Sequence, residues 1–264
     1  MNPILFAILL VSGVGLIAGV LLVIAGKFMS VPADEKAETI EKMLPGANCG
    51  GCGFSGCSGY ASAISQNGAK PNLCVVGGPD VAKQISEFLG VEAESVERRA
   101  AAVLCAGKDG CALRKAEYNG LQSCKSVNAL FGGINVCKYG CIGLGDCVKV
   151  CENKAISIKE GVANIDVSNC IACGKCVSAC PKKLINLVSF EKKPLVLCSN
   201  LDNGAMTRKA CTNGCIGCKM CEKACETGAI KVDGFKASVD RKKCIGCGKC
   251  IEACKVGCIK NFLE

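Results

Sequence analysis

Nine cysteines of this chain recur at one fixed offset. Cys124, Cys137, Cys141, Cys147, Cys151, Cys170, Cys173, Cys176 and Cys180 reappear as Cys198, Cys211, Cys215, Cys221, Cys225, Cys244, Cys247, Cys250 and Cys254. Every shift is 74 residues, without insertion or deletion. Neighbouring residues repeat too: Gly140-Cys141-Ile142-Gly143 matches Gly214-Cys215-Ile216-Gly217, and Cys173-Gly174-Lys175-Cys176 matches Cys247-Gly248-Lys249-Cys250. Chance composition does not hold one offset through nine positions, so the second half is a tandem duplication. The chain has 26 cysteines in 264 residues and no histidine or tryptophan. A chain of this length buries a core without disulfide staples, so the cysteines serve another purpose. Lack of histidine excludes Cys2His2 zinc fingers, His-based zinc hydrolases, His-ligated haem and imidazole acid–base catalysis. Aromatics at 4% argue against base-stacking platforms for single-stranded nucleic acid.

Three runs read C-x2-C-x2-C-x3-C: Cys170/Cys173/Cys176/Cys180, Cys215/Cys218/Cys221/Cys225 and Cys244/Cys247/Cys250/Cys254. Three such cysteines on a tight glycine-bearing loop cap one side of a [4Fe–4S] cubane, and the fourth ligand comes from the partner run. Structural zinc takes separated C-x2-C pairs, and three evenly spaced cysteines would leave a surplus. The crossover rule assigns Cys254 to Cys215, Cys218 and Cys221; Cys225 to Cys244, Cys247 and Cys250; and Cys151 to Cys170, Cys173 and Cys176. One site is irregular, because Leu144 stands where the second copy has Cys218. Cys141, Cys147 and Cys180 then supply three thiolates, and Cys137 is the expected fourth ligand, a three-cysteine site being the alternative. Cys180 precedes a proline, as in ferredoxins, whereas Cys151, Cys225 and Cys254 precede Glu, Glu and Lys. Segments 229–233 and 236–240 read as short strands about Gly234, giving a compact βαβ-type unit for two clusters.

A different motif comes earlier, Asn48-Cys49-Gly50-Gly51-Cys52-Gly53-Phe54-Ser55-Gly56-Cys57, followed by Cys74. Four thiolates at this spacing fit zinc or a cubane, and company with four other clusters favours the cubane. Five clusters are therefore expected. Cys105, Cys111, Cys124, Cys198, Cys211 and Cys258 remain: either buried thiols packed as small hydrophobes, or the source of a sixth cluster. The formal charge of +9 suggests an acidic partner, but counts each cysteine as neutral. An oxidised cubane with four thiolates carries roughly −2, so about five cancel the excess, and nucleic acid is not an expected partner.

Residues 3–26 carry no charge. As a helix they span roughly 36 Å, enough to cross a bilayer with tilt. The run lacks a basic leader and an A-x-A cleavage site, so a retained anchor is expected rather than a signal peptide. Lys27 behind it places the rest in the cytoplasm by the positive-inside rule. Gly15 and Gly19 form a G-x-x-x-G face suited to close helix approach. A short amphipathic helix is expected next, with Pro32 near its start, Ile40, Met43 and Leu44 on its apolar side and Pro45-Gly46 at its end. Val81, Ile85, Phe88 and Leu89 mark another helix, stopped by Gly90. The expected organisation is α+β: an anchor over 1–27, a small iron–sulfur domain over 28–92, a linker with extra cysteines over 93–123, and ferredoxin-like modules over 124–197 and 198–264.

The hydrophobic anchor, NCGGCGFSGC with distant Cys74, and ferredoxin modules containing GCIGLGDCVKVC together resemble the B subunit of the Rnf complexes, in the long form of anaerobic bacteria. The resemblance covers essentially the whole chain, with the N-terminal cysteine motif behind an anchor as its specific part. It implies a membrane-bound, ion-pumping ferredoxin:NAD oxidoreductase. The B subunit would be its cytoplasmic iron–sulfur arm, passing electrons from reduced ferredoxin to the membrane subunits, with the A, C, D, E and G subunits as partners. It also implies that Cys49, Cys52, Cys57 and Cys74 bind the first [4Fe–4S] cluster and the ferredoxin runs the others. Many relatives have one ferredoxin module; this chain has two.

The residues agree with an electron relay. No nucleophile, paired-carboxylate site, G-x-G-x-x-G or P-loop stands out, so neither NAD nor ATP is expected to bind here. Lys182, Lys183, Lys192, Lys193, Lys242 and Lys243 are candidates for steering an acidic donor. One apolar helix without ionisable groups offers no ion path, so coupling to ion movement would lie in other subunits. The alternatives are an iron–sulfur subunit of a hydrogenase-type complex and, remotely, a zinc-binding scaffold.

Overall fold

The computed structural model describes residues 3–28, 34–92 and 97–263. Helix α1 spans Pro3–Phe28, and its side chains are described at position 4 and positions 11–24. Those 14 consecutive residues cover about 21 Å, less than a bilayer's hydrocarbon core. Among the described residues no helix is long and apolar enough to cross a membrane. The expected anchor over 1–27 thus lies partly outside the described residues, and Pro32 lies wholly outside them.

Three helices form the next unit. Helix α2 (Glu35–Met43) starts at Asp34, whose carboxylate accepts from the backbone N–H groups of Lys36 and Ala37 and from the Ser65 hydroxyl. These bonds hold the Asp34 carboxyl below its usual range. Helix α3 spans Cys57–Asn67, and α4 spans Gly78–Leu89 and ends at Gly90. Ile40, Tyr60, Ile64 and Ile85 meet in the core between them. The apolar stripe read from the sequence therefore faces inward at Ile85, while Phe88 stays exposed.

Among the described residues, the rest of the chain contains four two-stranded antiparallel sheets. Strand β1 (Arg99–Val103) precedes helix α5 (Cys124–Phe131) and the one-turn helix α6 (Asp146–Lys149). Strands β2 (Ile156–Lys159) and β3 (Val162–Ile165) form a hairpin, followed by α7 (Lys175–Ala179) and β4 (Ile185–Ser189). The second half runs β5 (Pro194–Val196), α8 (Gly204–Ala210), α9 (Met220–Lys223), hairpin β6 (Ile230–Asp233) and β7 (Lys236–Val239), α10 (Lys249–Glu252) and β8 (Ile259–Asn261).

The βαβ expectation gives way here to antiparallel hairpins. Only Glu160-Gly161 joins β2 to β3, and only Gly234-Phe235 joins β6 to β7. A parallel crossover needs a far longer connection. The strand pairs also extend each unit beyond the spacing of its cysteines. β1, inside the stretch read as linker, pairs with β4 so that Val103 faces Ile185. β5 pairs with β8 so that Val196 faces Ile259. Ile185 and Ile259 are repeat equivalents, so Val103-Leu104-Cys105 corresponds to Val196-Leu197-Cys198. The Leu104 N–H donates to Leu184 O and the Leu197 N–H to Cys258 O, again equivalent partners. Cys198 thus has Cys105 as its structural counterpart, at an offset of 93, instead of Cys124 at 74.

The cysteine loops press on the hairpins through glycine. Gly143 has φ +81°, and a Cβ there would stand 2.4 Å from Gly161 O. Its counterpart Gly217 has φ +66°, and a Cβ would stand 2.8 Å from Phe235 Cα. Only glycine allows both the left-handed backbone and the close approach.

Candidate metal centres

The N-terminal unit gathers Cys49, Cys52, Cys57 and Cys74 around a cavity of about 380 Å³. Asn48 Oδ1 accepts from the Cys57 N–H at 2.8 Å, which ties the start of the cysteine loop to the start of α3. Tyr60 supports the far side: its hydroxyl donates to Lys70 O at 2.6 Å and accepts from the Leu73 N–H at 3.0 Å. Burial pushes this phenol up to about 12, so it remains a neutral donor. Cys74 Sγ accepts from the Gly77 N–H at 3.3 Å.

In the first module, Cys151, Cys170, Cys173 and Cys176 line a cavity of about 420 Å³. β1 contributes directly, because the Ala101 N–H donates to Cys170 Sγ at 3.4 Å. In the second module, Cys215, Cys218, Cys221 and Cys254 line one cavity together with Cys258. The Cys258 thiol donates to Cys215, lowering the Cys215 thiol and raising its own, and stands 3.6 Å from Cys254 Sγ. Cys225, Cys244 and Cys247 are the sulfur neighbours whose charge acts on Cys250. Each of these groups contains the four cysteines named by the crossover rule, and that of Cys215 contains Cys258 besides.

The irregular site differs. Cys141, Cys147 and Cys180 line a cavity of about 400 Å³ whose fourth cysteine is Cys124, at the start of α5. The charges acting on Cys147 come from Cys141, Cys124 and Cys180. Cys137, the expected fourth ligand, points elsewhere. It lines a separate cavity of about 400 Å³ with Cys105, Cys198 and Cys211. Sequence spacing favours Cys137 because it lies four residues from Cys141; the fold instead swings α5 over the cavity beside Leu144. The repeated Val-Leu-Cys triplet is the available signal for pairing Cys105 with Cys198.

Burial pushes the thiols up, to about 12 for Cys147 and about 11 for Cys141, Cys176, Cys211, Cys221 and Cys250, and neighbouring sulfurs add to it. Such groups ionise only against a strong positive charge, as metal binding provides. The residues in place of proline have a repeated use. Glu152, after Cys151, pairs with Lys175, and Glu226, after Cys225, pairs with Lys249. Each ion pair ties the fourth cysteine of a site to the Cys-Gly-Lys-Cys loop that supplies the others. Of the candidate steering lysines, Lys182 donates to Gly132 O and Lys138 O, and Lys193 donates to Arg241 O and pairs with Glu191. Both brace the fold. Lys183, Lys242 and Lys243 are exposed.

Among the described residues, no group of three or more His, Cys, Asp or Glu side chains is arranged to hold a single metal ion. Tetrahedral zinc at about 2.3 Å from each sulfur draws four sulfurs to about 3.8 Å of one another. Thiolate-only donor sets with backbone N–H groups aimed at sulfur suit an iron–sulfur cubane.

Comparison with known proteins agrees with this chemistry. The family described as "Putative Fe-S cluster" matches residues 44–76, and the 4Fe-4S dicluster domain family matches residues 139–184 and 214–258. The B subunit of the ion-translocating oxidoreductase complex of Methanosarcina acetivorans is 42% identical over 238 residues, covering 90% of this chain and 90% of the relative. The B subunit of the proton-translocating ferredoxin:NAD(+) oxidoreductase complex of Clostridium ljungdahlii is 39% identical over 91% of this chain and 86% of its own length. The Na(+)-translocating counterpart in Acetobacterium woodii is 40% identical over 92% of this chain and 73% of its own length. With two fifths of its residues shared over nine tenths of its length, the chain belongs to the B-subunit family of ion-translocating oxidoreductase (Rnf) complexes.

Proposed function

We propose that this chain is the iron–sulfur relay of a membrane-bound Rnf complex, receiving electrons from reduced ferredoxin and passing them to the membrane subunits that couple transfer, ultimately to NAD, to ion movement. The observation that carries this reading is the series of cysteine quartets along one chain, with the N-terminal and first-module sites in contact. Ala172, between two cysteines of the first module, lines the N-terminal cavity, and Cys173 O lies 4.0 Å from where a Cβ on Gly51 would stand. When bound, each [4Fe–4S] cluster supplies a one-electron centre.

The ligand sets are Cys49/Cys52/Cys57/Cys74, Cys124/Cys141/Cys147/Cys180, Cys151/Cys170/Cys173/Cys176, Cys215/Cys218/Cys221/Cys254 and Cys225/Cys244/Cys247/Cys250. Backbone N–H groups directed at their sulfurs stabilise the more negative state, and burial by Ile156, Ile185, Ile230 and Ile259 keeps water away. Cys218 and Cys247 are exposed, unlike the other cysteines, which makes the second module the entry face for a soluble donor. Lys242 and Lys243 flank that face and favour an acidic one.

The uncharged run 3–26 tethers the relay, with the cysteine domains on the cytoplasmic side. Val11, Leu16, Leu22 and Val23 expose their side chains on α1, as a lipid-facing or subunit-facing helix requires. The tether raises the effective concentration of the relay beside the A, C, D, E and G subunits.

The test is anaerobic mixing of the purified full chain in detergent with reduced ferredoxin, followed by the visible bleach of iron–sulfur absorbance. Rapid bleaching, with membrane association lost on deletion of residues 1–28, supports the relay. A colourless zinc protein, or a brown one that ferredoxin does not reduce, ends it.

A further inference from the structure

Cys105, Cys137, Cys198 and Cys211 belong to no ferredoxin run, yet they form a site to which both modules contribute equivalent positions. Cys137 and Cys211 are equivalent in the repeat, and Cys105 and Cys198 are equivalent by strand register. Each module thus supplies the same two positions to one cavity. Like the sites around Cys49, Cys141 and Cys170, this cavity is lined by four cysteines.

The hydrogen bonds repeat the symmetry. The Cys141 N–H donates to Cys105 Sγ at 3.4 Å, and the Cys215 N–H donates to Cys198 Sγ at 3.2 Å. Cys141 and Cys215 are the first cysteines of the two adjoining sites. One hydrogen bond and the few covalent bonds of a single cysteine therefore separate this cavity from its neighbour on either side. The two modules are also joined around it. Ala112 bridges Cys211, the Leu113 N–H donates to Ala210 O, the Thr212 N–H donates to Cys111 O, and the Ser199 hydroxyl donates to Leu104 O.

We propose that Cys105, Cys137, Cys198 and Cys211 hold a sixth [4Fe–4S] cluster, on the pseudo-two-fold axis between the modules, which joins them into one conductor. The proposal rests on the relay reading and adds a centre that neither module can build alone. Its reduction by one electron is matched by oxidation of a neighbouring cluster by one electron; no bond forms or breaks, and no proton moves. The order it implies runs from the second module through this centre to Cys124/Cys141/Cys147/Cys180, then Cys151/Cys170/Cys173/Cys176, then the N-terminal site.

Iron and acid-labile sulfide in the anaerobic full chain test it. Six cubanes give about 24 irons and five give about 20. The variant Cys105→Ala/Cys211→Ala should fall by about four irons and lose one spin from the dithionite-reduced EPR integral. Cys111→Ala, outside the quartet, should keep the full content. Where the double variant does not accumulate, the wild-type count decides alone, and Cys105→Ser, which can keep an oxygen ligand, should shift one EPR signal. A wild-type count near 20, with or without one zinc, or a double variant with unchanged iron, overturns the sixth cluster and leaves the relay standing. A protein holding zinc throughout overturns the relay as well.

Discussion

Leu144 gives the sharpest experiment on the irregular site. Cys124→Ala should remove one of four ligands from the site of Cys141, Cys147 and Cys180, and the chain should lose about four irons. Cys124 is buried, and its loss removes the cluster's contribution to folding as well as one sulfur, so stability should drop by more than the ~1 kcal/mol of the sulfur alone. Leu144→Cys should then restore the site. The second copy carries Cys218 at this position, and the loop backbone is alike in both copies, with φ +81° at Gly143 and +66° at Gly217. The restoring change has its own cost. Leu144 is half-buried against Cys124, Val127, Ile134 and Ile142, and its truncation should cost about 1–2 kcal/mol. That cost shows in urea denaturation, whereas iron content should return to the wild-type level. Cys137→Ala should also lose about four irons, but from the inter-module site, so Leu144→Cys should not recover them. Iron quantitation on the four variants decides the matter. Recovery of Cys137→Ala by Leu144→Cys, with no recovery of Cys124→Ala, would refute the ligand assignment at both sites.

Three further outcomes follow from packing. Gly217→Ala would place a Cβ 2.8 Å from Phe235 Cα in a left-handed backbone, so the second module should lose several kcal/mol and bind about four fewer irons; retained iron with unchanged melting would contradict the geometry. Tyr60→Phe leaves the Leu73 N–H and Lys70 O without their shared hydroxyl and should destabilise the chain by about 1–3 kcal/mol, read from urea midpoints. The Asp34 carboxyl is held below its unfolded value of 3.8, first by the Ser65 hydroxyl and then by the Ala37 N–H, so its contribution is full above that pH and is lost as pH falls through the lower folded value; Asp34→Asn should flatten this part of the acid titration.

Much of the cysteine framework was legible because cluster chemistry fixes spacing. Cys170, Cys173 and Cys176 must converge on one body, and a 74-residue echo of them cannot arise by drift. The hairpin about Gly234 and the helix ended by Gly90 were readable from alternation, periodicity and left-handed glycine. Two features were hidden for a common reason. The fourth cysteine beside Cys141, Cys147 and Cys180 is set by proximity in space: the cavity holds Cys124 of α5, while Cys137, four residues from Cys141, lines another cavity. The equivalence of Cys105 and Cys198 was masked because the first copy is longer between β1 and α5, so the offset changes from 74 to 93 there. Only strand register, read from the paired backbones, restores it.

The pairing of β1 with β4 and of β5 with β8 gives each module a clasp whose two halves lie at its opposite chain ends. During synthesis the N-terminal site can close once Cys74 has left the ribosome, whereas the first clasp waits for Ser189. The quartet between the modules cannot be complete before Cys211 emerges. Growth of the polypeptide therefore imposes a timetable on cofactor delivery, from the N-terminal site onward, and a nascent chain stalled near residue 200 would present Cys105 and Cys137 as bare thiols to any oxidant.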